Sequence, residues 1–129
     1  MTSPLTDREL ELLAGSIAPG VTYLPISETG RLAISANAYD TVVSWTIPTG
    51  SVGILKEISF VTDEVGVTQY QLTIGGVVKW TDRSFQSSNL TIPFPNTPLP
   101  ALTVVLLEAQ SDGTVTATID GAISGEERS

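Results

Sequence analysis

The sequence predicts an all-β protein, an antiparallel β-sandwich of about eight strands in two layers, preceded by an N-terminal arm that carries a short helix. Of the 129 residues, 41% are apolar and only 16% are charged, which is typical of a domain that buries one core. Short β-branched runs recur about every ten residues, as in sandwiches. The 11 glycines and 8 prolines fall largely between these runs, where the chain must turn.

The arm is expected to span residues 1–30. Leu5–Leu10 fits a helix start, because Thr6 can cap the helix and Glu9 completes a capping box. Gly15 ends a helix of about two turns, which is too short to be stable alone in water. Its leucines therefore need a neighbouring surface, either on the same domain or on another molecule. The predicted interaction residues of the arm are Leu5, Leu10, Leu12 and Leu13.

The β-sandwich domain is expected to span residues 31–123, followed by a charged, fraying tail at 124–129. Val21–Leu24, within the arm, is short enough for an edge strand or an extended segment. In the strand Thr41–Ile47, Trp45 shares a face with Val43 and is assigned to the core. The other predicted strands, in order, are Leu32–Ala36, Val52–Val61, Tyr70–Ile74, Val77–Trp80, Leu90–Ile92 and the two runs of Ala101–Ile123.

Turn residues predict how some of these strands connect. Gly75-Gly76 supplies the pair of positive φ angles that a two-residue type I′ hairpin needs. Ser111-Asp112-Gly113 separates two β-branched runs, so Ala101–Ile123 is also predicted to be a hairpin. The segment 93–100 holds four prolines, which cannot pair in the middle of a sheet, and is expected to be a polyproline-like surface connection.

Composition limits the classes of partner. The formal net charge is −8, and the six Lys and Arg residues are scattered singly along the chain. Neutralising phosphates requires clustered cations, so neither nucleic acid nor an anionic membrane is an expected partner. No apolar run is long enough to cross a membrane, and no secretory signal is evident. The lack of cysteine favours an intracellular folding environment.

No catalytic or metal motif stands out. Without histidine or cysteine, the commonest general base, nucleophile and metal ligands are missing. Asp63-Glu64, or Asp112 with Asp120, would offer at most a weak calcium site. The other carboxylates fall in predicted turns or next to apolar strand residues, where solvation or a sheet contact explains them better than catalysis. The sequence therefore assigns no catalytic, cofactor-binding or metal-ligating residue, and predicts a non-enzyme without a cofactor.

Carbohydrate binding is an alternative, because sandwich modules often use exposed aromatic side chains as sugar platforms. Trp80 ends a predicted hairpin strand and is the candidate surface aromatic. Packing against the domain is the favoured explanation for it. The third possibility is assembly: an apolar arm that cannot fold alone, beside a sandwich with β-branched faces, is typical of a protein that builds oligomers or attaches to a lattice.

About two-thirds of the chain follows a recognisable order of strands and turns. Its parts are Thr41–Ile47 before Pro48-Thr49-Gly50, Val52–Ile58, Tyr70–Ile74 before Gly75-Gly76-Val77, Ile92–Pro100, and Val104–Ile119 before Asp120-Gly121. In this order the chain resembles the bacteriophage head decoration, or cement, proteins, which have a jelly-roll-like β-sandwich. Receptor-binding heads of phage tail fibres share much of the pattern. Pro98–Ala101 departs from the commoner proline-then-glycine turn before the penultimate strand.

The resemblance implies a non-enzymatic homotrimer, made in the host cytoplasm and located on the exterior of the virion. Its partners would be its own copies and the shell of the major capsid protein, which it would stabilise against internal pressure. The N-terminal arm would contact the shell or a neighbouring subunit. The alternative is a carbohydrate- or receptor-binding module of a phage tail fibre or a bacterial surface system.

Overall fold

The computed structural model describes residues 22–129, which form two four-stranded antiparallel sheets and contain no helix. This confirms the predicted all-β class and the eight strands in two layers. The predicted arm helix and its four leucines lie outside the described residues. The strands are β1 (Tyr23–Ile34), β2 (Asp40–Thr46), β3 (Val52–Thr62), β4 (Thr68–Ile74), β5 (Val77–Ser84), β6 (Asn89–Leu99), β7 (Val104–Ser111) and β8 (Ala117–Arg128).

The chain crosses between the sheets at almost every connection. The first sheet has the strand order β1-β8-β3-β6, and the second sheet has the order β2-β7-β4-β5. Only β4 and β5 are consecutive neighbours in one sheet. They are joined through Gly75 and Gly76, whose φ angles are 60° and 79°, so the predicted hairpin is confirmed.

The two ends of the sandwich differ in what they carry. One end, called here the terminal end, holds loops 47–51, 75–76 and 100–103 together with Thr22 and Ser129. Thr22 and Ser129 exchange two backbone hydrogen bonds of 2.8 and 3.0 Å, so the chain enters and leaves the sandwich at one place. The opposite end, called the far end, holds loops 35–39, 63–67, 85–88 and 112–116.

The core lies between the sheets and is built by strands that alternate inward and outward side chains. Trp45 is only 3% exposed, which confirms its assignment to the core. Its indole Nε1 donates a 2.9 Å hydrogen bond to Glu127 Oε2, so the buried polar atom is satisfied. Towards the far end, Phe60, Tyr70 and Phe85 form an aromatic cluster with ring centroids 5.0–5.9 Å apart.

Two paired glycines let the sheets approach closely. Gly30 on β1 lies opposite Gly121 on β8. A Cβ added at Gly30 would clash with the backbone oxygen of Val42, and one at Gly121 would lie 2.8 Å from Val42 Cγ1. Only glycine fits this contact between the first sheet and β2.

The predicted hairpin over Ala101–Ile123 is wrong. β7 pairs with β2 and β4 in the second sheet, whereas β8 pairs with β1 and β3 in the first sheet. The loop 112–116 is therefore an arch between sheets. It is held by the Ser111 hydroxyl, which donates to the Val115 carbonyl at 2.7 Å, and by Asp112, which accepts from Thr114. Two β-branched runs around a Gly-containing turn fit such an arch as well as a hairpin.

Both boundaries of the domain differ from those expected at residues 31 and 123. β1 already begins at Tyr23 and pairs with β8 as far as Arg128. The charged end of the chain is ordered by partners, since Glu126 contacts Lys56 and Arg128, and Glu127 accepts from Trp45. The sandwich therefore includes residues that were expected to lie in the arm and the tail.

The proline-rich segment also differs from expectation, because it belongs to strand β6. β6 is an edge strand that pairs only with β3, and proline is tolerated at a sheet edge because its missing N–H is not needed there. The pairing is interrupted by a register shift opposite Leu55–Glu57, and Asn96 there has a φ of 47°.

Candidate functional site

The outer face of the first sheet carries a bidentate ion pair. Arg31 on β1 lies opposite Asp120 on β8, and its Nε and a terminal nitrogen donate to the two carboxylate oxygens at 2.6 and 3.1 Å. Hydrogen bonding to Arg31 lowers the pKa of the Asp120 carboxyl below its ordinary value. The arginine side chain is 71% exposed, so the pair fixes side-chain positions more than it adds stability.

Beside this pair lies a surface depression with a volume of about 420 Å³. Gly30 and Gly121 form part of its floor with their backbone, since side chains at these positions would point into the interior towards Val42. The side chains around it are short or polar: Thr29, Arg31, Ser59, Val61, Asp120 and Ala122. The depression has hydroxyl, guanidinium and carboxylate groups at its rim and apolar surface between them, a mixture found in binding sites for small ligands.

A second charged group lies where the chain leaves the sandwich. Burial raises the pKa of Glu126, but the hydrogen bond from Arg128 and the charges of Arg128 and Lys56 outweigh this and hold the pKa below its ordinary value. The Arg128 guanidinium also lies 4.9 Å from the centre of the Tyr23 ring, a cation–π distance. These contacts tie β8 to β1 and β3 at the terminal end.

Three further carboxylates, one of which is the calcium candidate Asp63, have structural contacts. Asp63 accepts from the Thr118 amide at 2.8 Å, Asp82 from the Tyr39 hydroxyl at 2.8 Å, and Glu108 from the Gln71 amide at 2.8 Å. Burial and the neighbouring Asp82 raise the pKa of Tyr39. Asp112 and Asp120 are placed in different elements, a loop and a strand, and the structure does not group them into a metal site.

Within residues 22–129, no group of three or more acidic, histidine or cysteine side chains is arranged to hold a metal ion. The same part of the chain contains no helix with the length and hydropathy needed to span a bilayer.

Trp80 lies on β5 and is half-buried. Its ring stacks on Phe94 of β6, with centroids 6.0 Å apart and an interplanar angle of 29°. This contact joins the edges of the two sheets on one side of the sandwich. A smaller depression of about 230 Å³ is lined by Trp80, Tyr70, Arg83 and Ile92. The structure therefore gives Trp80 a packing role and leaves part of its surface at a shallow depression.

Sequence reasoning missed a set of exposed apolar side chains. Of the eight large hydrophobic residues that are exposed in residues 22–129, six lie at the terminal end, and Val61 and Val115 lie elsewhere. The six, called here the terminal patch, are Leu24, Val52, Val77, Val78, Leu102 and Val104. They come from four different strands and a loop, so only the folded topology brings them to one end.

No protein-family model matches this chain, and no curated protein is similar to it at a significant level.

Proposed function

We propose that this protein is a non-enzymatic structural protein of a bacteriophage virion, a decoration protein that binds the outside of the capsid and stabilises it. The observation that carries the proposal is the strand order, β1-β8-β3-β6 facing β2-β7-β4-β5. This order supports a jelly-roll-like architecture, which viral capsid domains use repeatedly. Fold alone does not give function, so the proposal also depends on the arm and on how the sandwich is fastened.

The sandwich is fastened in ways that suit a load-bearing role. Its N-terminal and C-terminal strands, β1 and β8, pair over twelve residues, so the two ends of the domain are held together. The end of this pairing is reinforced by Glu126, Glu127 and Arg128. Detaching the chain at Thr22 from the domain would first require breaking its pair with Ser129 and then the β1–β8 ladder.

The arm is the part proposed to engage other molecules. Leu5, Leu10, Leu12 and Leu13 are spaced for a short amphipathic helix that needs a partner surface. The proposed partners are the major capsid protein shell and further copies of this chain in a homotrimer. In this proposal the protein is made in the host cytoplasm and is located on the capsid exterior.

The proposal is tested by binding purified protein to shells assembled from the major capsid protein of the phage whose genome encodes it. The full chain should sediment with the shells and raise their melting temperature. A variant without residues 1–15 should remain folded by circular dichroism and stay in the supernatant. Val115→Asn, at the far end, serves as the control and should bind normally. Normal binding of the truncated variant would contradict the role of the arm, and no binding by the full chain would contradict the proposal.

A second candidate is a carbohydrate- or receptor-binding module, as in phage tail fibres. The observation in its favour is the depression beside the Arg31–Asp120 ion pair, because jelly rolls also serve as lectins. A glycan array should then show saturable binding that Arg31→Gln abolishes. A glycan bound at the smaller depression should instead change the fluorescence of Trp80 and be insensitive to Arg31→Gln. No response on the array would eliminate this candidate.

A further inference from the structure

The terminal patch is not a random scatter of apolar side chains. Val104 lies beside the β4–β5 hairpin, because Gly75 N donates to its carbonyl at 2.9 Å, and Val77 and Val78 begin the return strand of that hairpin. Val78 is in register with Thr73, which pairs with the half-buried Leu106. The patch therefore continues from the loops of the terminal end onto the outer face of the second sheet.

Leu102 is the most exposed member, at 66%, and its backbone is unusual. Its φ is 69°, in the left-handed region where a leucine side chain is disfavoured by about 1–2 kcal/mol. The loop that holds it is fixed: Leu102 N donates to the Ile47 carbonyl at 2.7 Å, and Ile47 N donates to the Thr103 carbonyl at 2.9 Å. A strained, rigid loop that presents a large apolar side chain to solvent is typical of a contact site.

The residues before the sandwich contain apolar side chains, the leucines of positions 5–13, and they join the sandwich at the terminal end. Residues 1–21 precede Thr22, which is paired with Ser129 at the terminal end. Eight residues separate Leu13 from Thr22, and the nine Cα-to-Cα steps between them span at most about 30 Å when fully extended. Four strands of a sheet are only about 15 Å wide between the outer strand centres. The leucines at positions 5–13 can therefore reach the end of an adjacent copy of the sandwich.

The side from which the chain emerges favours a neighbouring copy. The edge strands β1 and β2 lie together on one side of the sandwich, and β5 and β6 lie together on the other, where Trp80 stacks on Phe94. The segment leaves from β1. Leu102 lies between the two sides, because it is hydrogen-bonded to Ile47 after β2 and precedes β7. Val77 and Val78 are on β5, the far side of the same molecule. In a head-to-tail ring the β1 side of one copy meets the β5 side of the next, and all terminal ends face the same way.

We propose that the terminal patch of each copy is the docking site for the leucines of residues 5–13 of a neighbouring copy, with Leu102 as its anchor. This inference rests on the proposed homotrimer, for which it names the receiving surface. Burying Leu102 and its neighbours against these leucines provides the apolar contact that each surface lacks alone. In this proposal the strained loop 100–103 holds Leu102 in the position where it contacts the neighbouring copy.

The test uses the full chain in a mixed sample. The protein has no cysteine, so Ser3→Cys gives a single site for a nitroxide spin label. Spin-labelled protein without isotopes is combined with isotope-labelled protein that has no spin label. The mixture is dissociated and reassembled, so that both kinds of copy occur in one oligomer. The methyl resonances of Leu102, Val104 and Val78 in the isotope-labelled copies should broaden, whereas that of Val115 at the far end should not.

Every other pattern overturns the inference. Broadening that occurs only when label and isotope are in one molecule would mean that the segment folds onto its own domain. Broadening at the far end, or none in a protein that is monomeric by light scattering, would place the leucines elsewhere. Shell binding is measured separately on the same samples. If shells are still bound, failure of the broadening test removes the docking site and leaves the proposed function standing.

The variant Leu102→Asn distinguishes an effect on the contact between subunits from an effect on folding. Asparagine is tolerated at positive φ, so dissociated subunits of the variant should keep the thermal stability of dissociated native subunits or gain slightly. Loss of the buried leucine should weaken subunit association at least about tenfold, measured by analytical ultracentrifugation. Val115→Asn is the matched control and should associate normally. Unchanged association of Leu102→Asn would contradict the role of the anchor.

Discussion

Among single residues, Gly121 shows how the close approach of the two sheets requires glycine. It faces Val42 and Val43 across the interior, and an added methyl group would lie 2.8 Å from Val42 Cγ1 and 3.2 Å from Val43 Cγ1. Both neighbours are β-branched and cannot rotate away easily. Gly121→Ala should therefore lower the free energy of unfolding by about 1–3 kcal/mol in urea titrations. Gly66, with no heavy atom within 4 Å of its would-be Cβ, is the control, and Gly66→Ala should be neutral or slightly stabilising. Equal effects at the two positions would contradict the close packing described for Gly121.

Glu126 gives the protein a defined response to acid. Burial raises the pKa of Glu126, but Arg128 and Lys56 together lower it by more than burial raises it. The pKa in the folded protein therefore lies below the unfolded value of about 4.3. A depressed carboxylate pKa stabilises the fold above the unfolded pKa, and this stabilisation is lost as the pH falls through the folded pKa. Glu126→Gln should thus unfold more easily than the native protein at pH 7, by about 1 kcal/mol or less, and the difference should shrink at about pH 3. Urea titrations at both pH values measure it, and a difference that grows on acidification would contradict this account.

At the scale of elements, the sequence predicted where the strands lie better than which strands pair with each other. Trp45 and Gly75-Gly76 were predicted correctly because their roles depend on nearby residues. The alternation of the strand places Trp45 in the core, and the positive φ angles open to glycine place Gly75-Gly76 in a tight turn. The hairpin over Ala101–Ile123 failed because β7 and β8 are each central strands with two other neighbours. Which sheet a strand joins depends on contacts far along the chain, and a turn sequence does not encode it.

The same reasoning explains why the candidate sites were only partly predictable. Arg31 and Asp120 are 89 residues apart and meet only through the β1–β8 register. Asp82 and Asn96 also have positive φ, but they are residue types that favour it, whereas nothing in the local sequence indicates that Leu102 adopts it. The arm leucines remain a prediction from sequence, because they lie outside the described residues.

The last residues of β8 were expected from the sequence to form a fraying tail, but in the structure they are paired, so their deletion should destabilise the fold. Deleting residues 125–129 would remove the pairs of Gly125 to Arg128 with β1 and β3 and leave the buried Trp45 N–H without Glu127. The lost ladder and the unsatisfied donor should cost at least about 2 kcal/mol of unfolding free energy, measured by urea titration. Val115→Asn, at the exposed far end, is the control and should leave the midpoint nearly unchanged. A C-terminal truncation as stable as the native chain would mean that these pairs contribute little.

At the scale of the whole molecule, the outstanding feature is that the first and last strands of the sandwich are neighbours. Pairing β1 with β8 closes a loop that contains nearly all of the described chain. Closing long loops costs entropy and slows folding in proteins dominated by such contacts. The connectivity that joins the two ends mechanically is therefore also expected to make the domain a slow folder.

Thr22 and Ser129 allow this expectation to be tested, because their mutual hydrogen bonds fit the closing pair of a two-residue hairpin. A circular permutant would join Ser129 to Thr22 through Asn-Gly and open the chain between Gln86 and Ser87, two exposed residues at the far end. β1 and β8 then become a local hairpin, and replacing a loop of about a hundred residues by a short one removes about 3 kcal/mol of closure entropy. If this pairing is formed in the transition state, refolding in stopped-flow experiments should be roughly ten- to a hundredfold faster than for linear residues 22–129. An unchanged refolding rate with slower unfolding would instead mean that β1 and β8 pair only after the transition state, and that the rest of the sandwich folds first.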